Sequence, residues 1–132
     1  MEDNFSDIYT AISEILVEIL DIDPEEVTPE TYLIQDLGVE SIDLMELALS
    51  LNERFNITVD EELIFLKSLR PVIEKAREEQ KDAPALVVEK FSFLSSKRTF
   101  EILEDLKDGP VLKVKDLVQY ISSQKNEDFT HA

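Results

Sequence analysis

From Asp7 to Leu20 apolar residues recur at helical spacing, with Ile8, Ile12, Ile15, Leu16, Ile19 and Leu20 along one face and Ser6 placed to cap the start. The pattern then stops. Pro24, Pro29 and Gly38 punctuate a long loop from Asp21 to Glu40, with Val27, Tyr32, Leu33 and Leu37 as candidates to pin it to a core. A second helix is expected from Ser41 to Phe55. Ile42, Leu44, Met45 and Leu47 cannot all face inward on so short a helix, so part of its apolar surface is expected to lie exposed. Asp60, Glu61 and Glu62 suit the first turn of a third helix, and Pro71 ends it or opens another. Ala83 to Leu94 fits a helix through Val87, Phe91 and Leu94, or a strand through Val87, Glu89, Phe91 and Phe93; the helix is preferred. Thr99 to Lys107 reads as a short helix with Phe100, Leu103 and Leu106 on one face, closed by Gly109 and Pro110. Lys113 to Ser122 supplies the last helix, with Val114, Leu117, Val118 and Ile121 inward and a loose polar tail from about 124 to 132. The class is all-α, in a single domain over 1–132.

Composition narrows the chemistry. The 132 residues hold 30 acidic and 13 basic side chains, a net charge of −17. Residues 1–60 carry 16 of the acids against one base, Arg54. Such a surface repels nucleic acid and anionic lipid and favours protein partners with basic patches. There is no cysteine, so neither a disulfide nor a thiolate nucleophile or ligand is possible. The one histidine is His131, near the end of the sequence, and two glycines leave no glycine-rich phosphate loop. Asp21-Ile22-Asp23-Pro24-Glu25 starts like a calcium loop, but Pro24 breaks it and the required glycine is missing, so no metal site is expected. The acidic start lacks the basic and apolar regions of a signal peptide, and no apolar run approaches about 20 residues. A cytoplasmic chain with no membrane insertion is expected.

The stretch Asp36-Leu37-Gly38-Val39-Glu40-Ser41-Ile42-Asp43-Leu44-Met45-Glu46-Leu47 invites two readings. In one, Ser41 simply caps a helix after a glycine-containing loop. In the other, it carries function, because the stretch resembles the acyl carrier protein family, whose D-L-G-x-D-S-L motif bears 4′-phosphopantetheine on its serine. The resemblance extends through the first helix, Glu25-Glu26-Val27-Thr28, the Glu-x-x-Phe ending at Phe55, Asp60-Glu61-Glu62 and the closing helix Val114 to Ile121. It covers about residues 5–66 and 111–125. Two departures stand out: Glu40-Ser41-Ile42 replaces Asp-Ser-Leu, and about residues 67–110 form an insert rich in apolar residues.

The resemblance implies a bundle of three main helices plus a short one, with an inserted, partly helical segment. It implies a non-catalytic carrier holding acyl groups as thioesters on 4′-phosphopantetheine, donated by coenzyme A and attached to Ser41. A helix N-terminus suits the phosphodiester, and a chain without cysteine needs a thiol from elsewhere. Implied partners are a phosphopantetheinyl transferase (holo-ACP synthase) and acyl-ACP synthetases, ketosynthases or acyltransferases with basic patches, approached by a monomer. Ile42, Asp43, Met45, Glu46, Leu49 and Glu53 match the family's partner-contact positions, while Asn52 stands where an acid is common. The pathway expected is a specialised one in fatty acid or lipid biosynthesis. Two alternatives are a peptidyl carrier domain and an acidic helical adaptor without a prosthetic group.

Overall fold

The computed structural model describes residues 4–131, with side chains as far as Lys125. Among the described residues it is all-helical: α1 (Phe5–Leu20), α2 (Ser41–Phe55), α3 (Glu61–Ile64), α4 (Leu69–Glu78), α5 (Ala83–Lys90), α6 (Ser96–Asp105) and α7 (Val114–His131), with 3₁₀ turns at Pro24–Glu26 and Leu106–Asp108. The chain divides into two compact units, one made of residues 1–59 and 112–132, the other of residues 60–111.

In the first unit α1 packs against both α2 and α7. Ile8, Ile12 and Leu16 meet the burial demand from α1, Leu47 and Leu51 from α2, and Leu117 and Ile121 from α7, all essentially without solvent contact. These are the inward positions of the helical pattern. The caps differ from expectation. Asn4, not Ser6, begins α1, and its Oδ1 accepts the Asp7 N–H at 2.9 Å. At the other end Asp21 turns into the left-handed region (φ 54°) and closes the helix on Val17, as Asn56 (φ 55°) closes α2 on Asn52.

The long loop between α1 and α2 is tied down along its length. Tyr9 Oη donates to the Val27 carbonyl at 2.8 Å. Residues 29–33 then lie beside the segment that enters α7: Leu33 N–H reaches the Leu112 carbonyl, Val114 N–H that of Thr31 and Lys115 N–H that of Pro29, each at 3.0 Å. Tyr32 and Lys113 form an isolated antiparallel bridge there. Val27 and Leu33 are buried as the pattern indicated, Tyr32 and Leu37 are only half-buried, and Val39 is a further buried anchor. Past Ser122 the α7 backbone continues helically to His131; the side chains beyond Lys125, that of His131 among them, and Ala132 lie outside the described residues.

The second unit packs α4 against α5 and α5 against α6. Asp60 Oδ1 accepts the Glu62 N–H at 3.0 Å and so starts α3, which lasts one turn before Leu66 adopts φ 55°. Pro71 falls in the first turn of α4, where its missing N–H costs no hydrogen bond. The ambiguous stretch is helical, but α5 stops at Lys90. Phe91 caps it, and Val87, Phe91 and Leu94 are all buried. The face assigned to α6 needs correction. Phe100 is 60% exposed and Leu103 half-buried, whereas Arg98, Thr99 and Ile102 face the core. Thr99 tolerates burial because its Oγ1 donates to the Ser95 carbonyl at 2.9 Å.

Candidate functional site

Ser41 is the first residue of α2, and the cap before it is Glu40. The capping reading of Ser41 therefore fails. The Ser41 side chain is exposed and takes part in no hydrogen bond among the described residues. The reach-back contact that fixes the helix start comes from Asp43, whose Oδ2 accepts the Glu40 N–H at 2.8 Å. The hydroxyl is left spare at the positive end of a 15-residue helix.

The approach to Ser41 is shaped by its own loop. Asp36 Oδ2 accepts the Tyr32 N–H at 2.9 Å while the Asp36 and Leu37 N–H groups return to the Tyr32 carbonyl. Gly38 then takes φ +66°, its N–H on the Ile34 carbonyl at 3.0 Å. Val39 swings inward, buried, with its N–H on the Leu33 carbonyl at 3.1 Å. With Val39 pointing in and α2 starting two residues later, Ser41 is left pointing to solvent. Asp36 and Asp43 thus each use a carboxylate oxygen on a backbone N–H group, which fixes the turn and the helix start.

Beyond Ser41, α2 shows two faces. Leu47, Ala48, Leu51 and Phe55 are buried. Ile42, Met45 and Leu49, at 62%, 59% and 65% exposure, form an apolar stripe three and four residues apart on the outer side. Glu46 and Glu53 are exposed, and Asp43 is half-buried in its capping contact. Asn52 accepts the Val59 N–H at 2.8 Å, which binds the exit of α2. The loop has one further clamp, at Glu30, which accepts from Lys113 Nζ and Lys115 Nζ at 2.8 Å each. Those bonds, Lys113 first, hold the Glu30 carboxyl down at about 2 against an ordinary 4.5. Lys113 and Lys115 lie 83 and 85 positions from Glu30, and no sequence pattern marks pairings at that distance. No group of histidine, cysteine or carboxylate side chains suited to a metal ion occurs among the described residues. None of the helices there is long and apolar enough to cross a membrane.

A family model described as the phosphopantetheine attachment site matches residues 10–73, a span that runs from α1 past the spare serine. The meromycolate extension acyl carrier protein of Mycolicibacterium aurum is 33% identical over 90 residues, covering 65% of this chain and 93% of that protein. The chain belongs to the acyl carrier protein family. Acyl carrier proteins of Wolinella succinogenes (44% over 55 residues, 42% of this chain and 72% of that one) and Helicobacter hepaticus (37% over 68 residues, 51% and 90%) are similar as well. No solved structure matches. Phosphopantetheine is accordingly the group this acyl carrier protein holds. Its residues fit that group: an exposed hydroxyl with no hydrogen bond among the described residues, at the first position of a 15-residue helix whose positive end suits a phosphate.

Proposed function

We propose that Ser41 is the attachment point, joined to 4′-phosphopantetheine through a phosphodiester at its Oγ. The supporting observation is the exposed Ser41 hydroxyl, unpartnered among the described residues, at the first position of α2. The arm supplies the thiol on which an acyl group is held as a thioester, since the chain has no cysteine of its own. Ser41 then acts as a tether and not as the nucleophile of a reaction of the chain's own, and the whole chain acts as one non-catalytic carrier in which residues 67–110 are an insert. The N–H groups of the α2 first turn and the helix dipole favour the negative phosphate. The cytoplasm, a monomeric state and a specialised pathway of fatty acid or lipid biosynthesis complete the reading, which the similarity to a meromycolate extension acyl carrier protein supports.

The partner face is the outer side of α2. Ile42, Met45 and Leu49 offer an apolar strip, flanked by Glu46 and Glu53 and, nearer the arm, Asp43. That composition suits enzymes with a basic rim around an apolar patch: the phosphopantetheinyl transferase (holo-ACP synthase), acyl-ACP synthetases, ketosynthases and acyltransferases.

One assay tests both parts. Incubation with coenzyme A and a phosphopantetheinyl transferase should add a single arm to the wild-type chain and none to Ser41→Ala, as read by intact mass and peptide mapping. An arm on Ser41→Ala, or none on the wild type, would overturn the assignment. Glu46→Lys should still be modified, with a slower association rate whose salt dependence is weakened; an unchanged rate would remove Glu46 from the face.

A further inference from the structure

A cleft of about 410 Å³ opens in the second unit, and every described residue lining it falls within 60–111. Leu63 of α3, Val72 of α4 and Leu86 of α5 supply its apolar wall, and all three are only half-buried. Asp60, Lys75, Glu89 and Lys90 supply its charges. Small-molecule sites have this mixed lining and a volume of about 300–1,000 Å³. The four charges are not equally available. Asp60 Oδ1 accepts the Glu62 N–H at 3.0 Å and the Leu63 N–H at 3.4 Å, which commits it to the start of α3. The Lys81 ammonium is held above the usual lysine range by its hydrogen bond to Glu79 first and by the charge of Glu89 as well. The Lys75 and Lys90 ammoniums make no hydrogen bond or ion pair among the described residues, unlike Lys67 with Glu61 and Lys81 with Glu79. Lys75 acts on Glu79 at a distance, after Lys81.

We propose that this cleft binds a small amphiphilic carboxylate, a medium-length alkyl chain with a single anionic end. Val72 and Lys75 share one side of α4 because they lie three residues apart, and Leu86, Glu89 and Lys90 share one side of α5 in the same way. With α4 packed on α5, both ammoniums border one apolar wall. The alkyl chain removes Leu63, Val72 and Leu86 from water, and the carboxylate takes the two open ammoniums. Asp60 and Glu89 at the same cleft disfavour a second negative charge, which limits the ligand to a monoanion. A phosphate head would call for a bidentate arginine or the N–H groups of a helix start. The described lining holds no arginine, and α4 and α5 contribute to it only from Val72 and Leu86 onward, past their first turns. The proposal does not depend on the assignment of Ser41.

The test is a titration of the full chain with sodium decanoate, followed by amide NMR. Leu63, Val72 and Leu86 should shift at lower concentration than Ile42, Met45 and Leu49 on the exposed stripe of α2. Lys75→Met and Lys90→Met should each weaken binding about threefold and together about tenfold, the scale of exposed charge contacts. Lys97→Met removes the same charge from an exposed position that does not line the cleft, and should bind as the wild type does. Val72→Thr should weaken binding by taking apolar surface out of the wall. Decyltrimethylammonium, with the same chain and the opposite charge, should bind more weakly than decanoate. The proposal is overturned if decanoate shifts the α2 stripe first or nothing at all. It is equally overturned if the double variant or the cationic amphiphile binds as well as the wild type binds decanoate, since the cleft would then be an apolar crevice only. Tighter binding of decyl phosphate than of decanoate would overturn the carboxylate assignment.

Discussion

The helix cap that one reading of the sequence gives to Ser41 falls to Glu40. Glu40 stands at the cap and Asp43 closes the helix start, so nothing structural depends on the serine hydroxyl. Ser41→Ala should therefore leave stability within about 0.5 kcal/mol of the wild type, as exposed substitutions usually do. Gly38 is the opposite case. A Cβ added there would meet nothing within 4 Å, so space is not the constraint. Its φ of +66° is, and left-handed backbone costs an L side chain about 1–2 kcal/mol. Gly38→Ala should lower the unfolding free energy by about 1 kcal/mol in urea titration, with slower arm attachment from a less populated turn. A wild-type stability for that variant would mean the turn has a second way to form. Asp36 was legible as part of the motif, but its bond to Tyr32 was not, because a loop's hydrogen bonds follow from its path.

At the scale of elements, α2 is the most instructive. Its apolar content exceeds one buried stripe, and the structure resolves the excess into Leu47, Ala48, Leu51 and Phe55 inside and Ile42, Met45 and Leu49 outside. α6 went the other way, with Phe100 outside and Arg98 and Thr99 inside. Reading apolar residues as buried fails where polar side chains find partners within the core. The clamp between Glu30 and the start of α7 carries a pH signature. Its carboxyl is lowered to about 2 when folded, so the stabilisation is complete above the unfolded value near 4.5. It is lost as pH falls through that window. Because the Glu30 side chain is 63% exposed, solvent screening limits the contribution to about 0.5–1 kcal/mol. Glu30→Gln should be less stable than the wild type by that amount at pH 7, and the gap should narrow as pH drops from 4.5 toward 2. A gap that stays constant across that range would show that Lys113 and Lys115 act through packing and not through charge.

Over the whole molecule the acidity is concentrated. Residues 1–59 and 112–132 hold 18 acidic and four basic side chains, whereas residues 60–111 hold 12 and nine. The first set is strained by its own charge at low ionic strength, and salt shortens the range of that repulsion from about 30 Å at 0.01 M to about 10 Å at 0.1 M. The melting temperature should rise across this salt range. A flat or falling series would mean that the pairs Glu30–Lys113, Glu30–Lys115 and Arg54–Glu14 already balance the local field.

Helices α1 and α2, the start of α7, the inward stripes of α1 and α7 and the position of Ser41 at a helix start were determined by sequence, because each depends on residues within one or two turns of one another. The motif around Ser41 was legible for the same reason: its chemistry is local. The tertiary structure alone decided which residue caps α2, which side of α6 is buried, and that α3 groups with α4, α5 and α6. It also decided that Glu30 meets Lys113 and that Arg98 holds Val111. Those pairings join residues 13 to 83 positions apart, and a charged or polar side chain carries no periodic mark of the partner that will satisfy it.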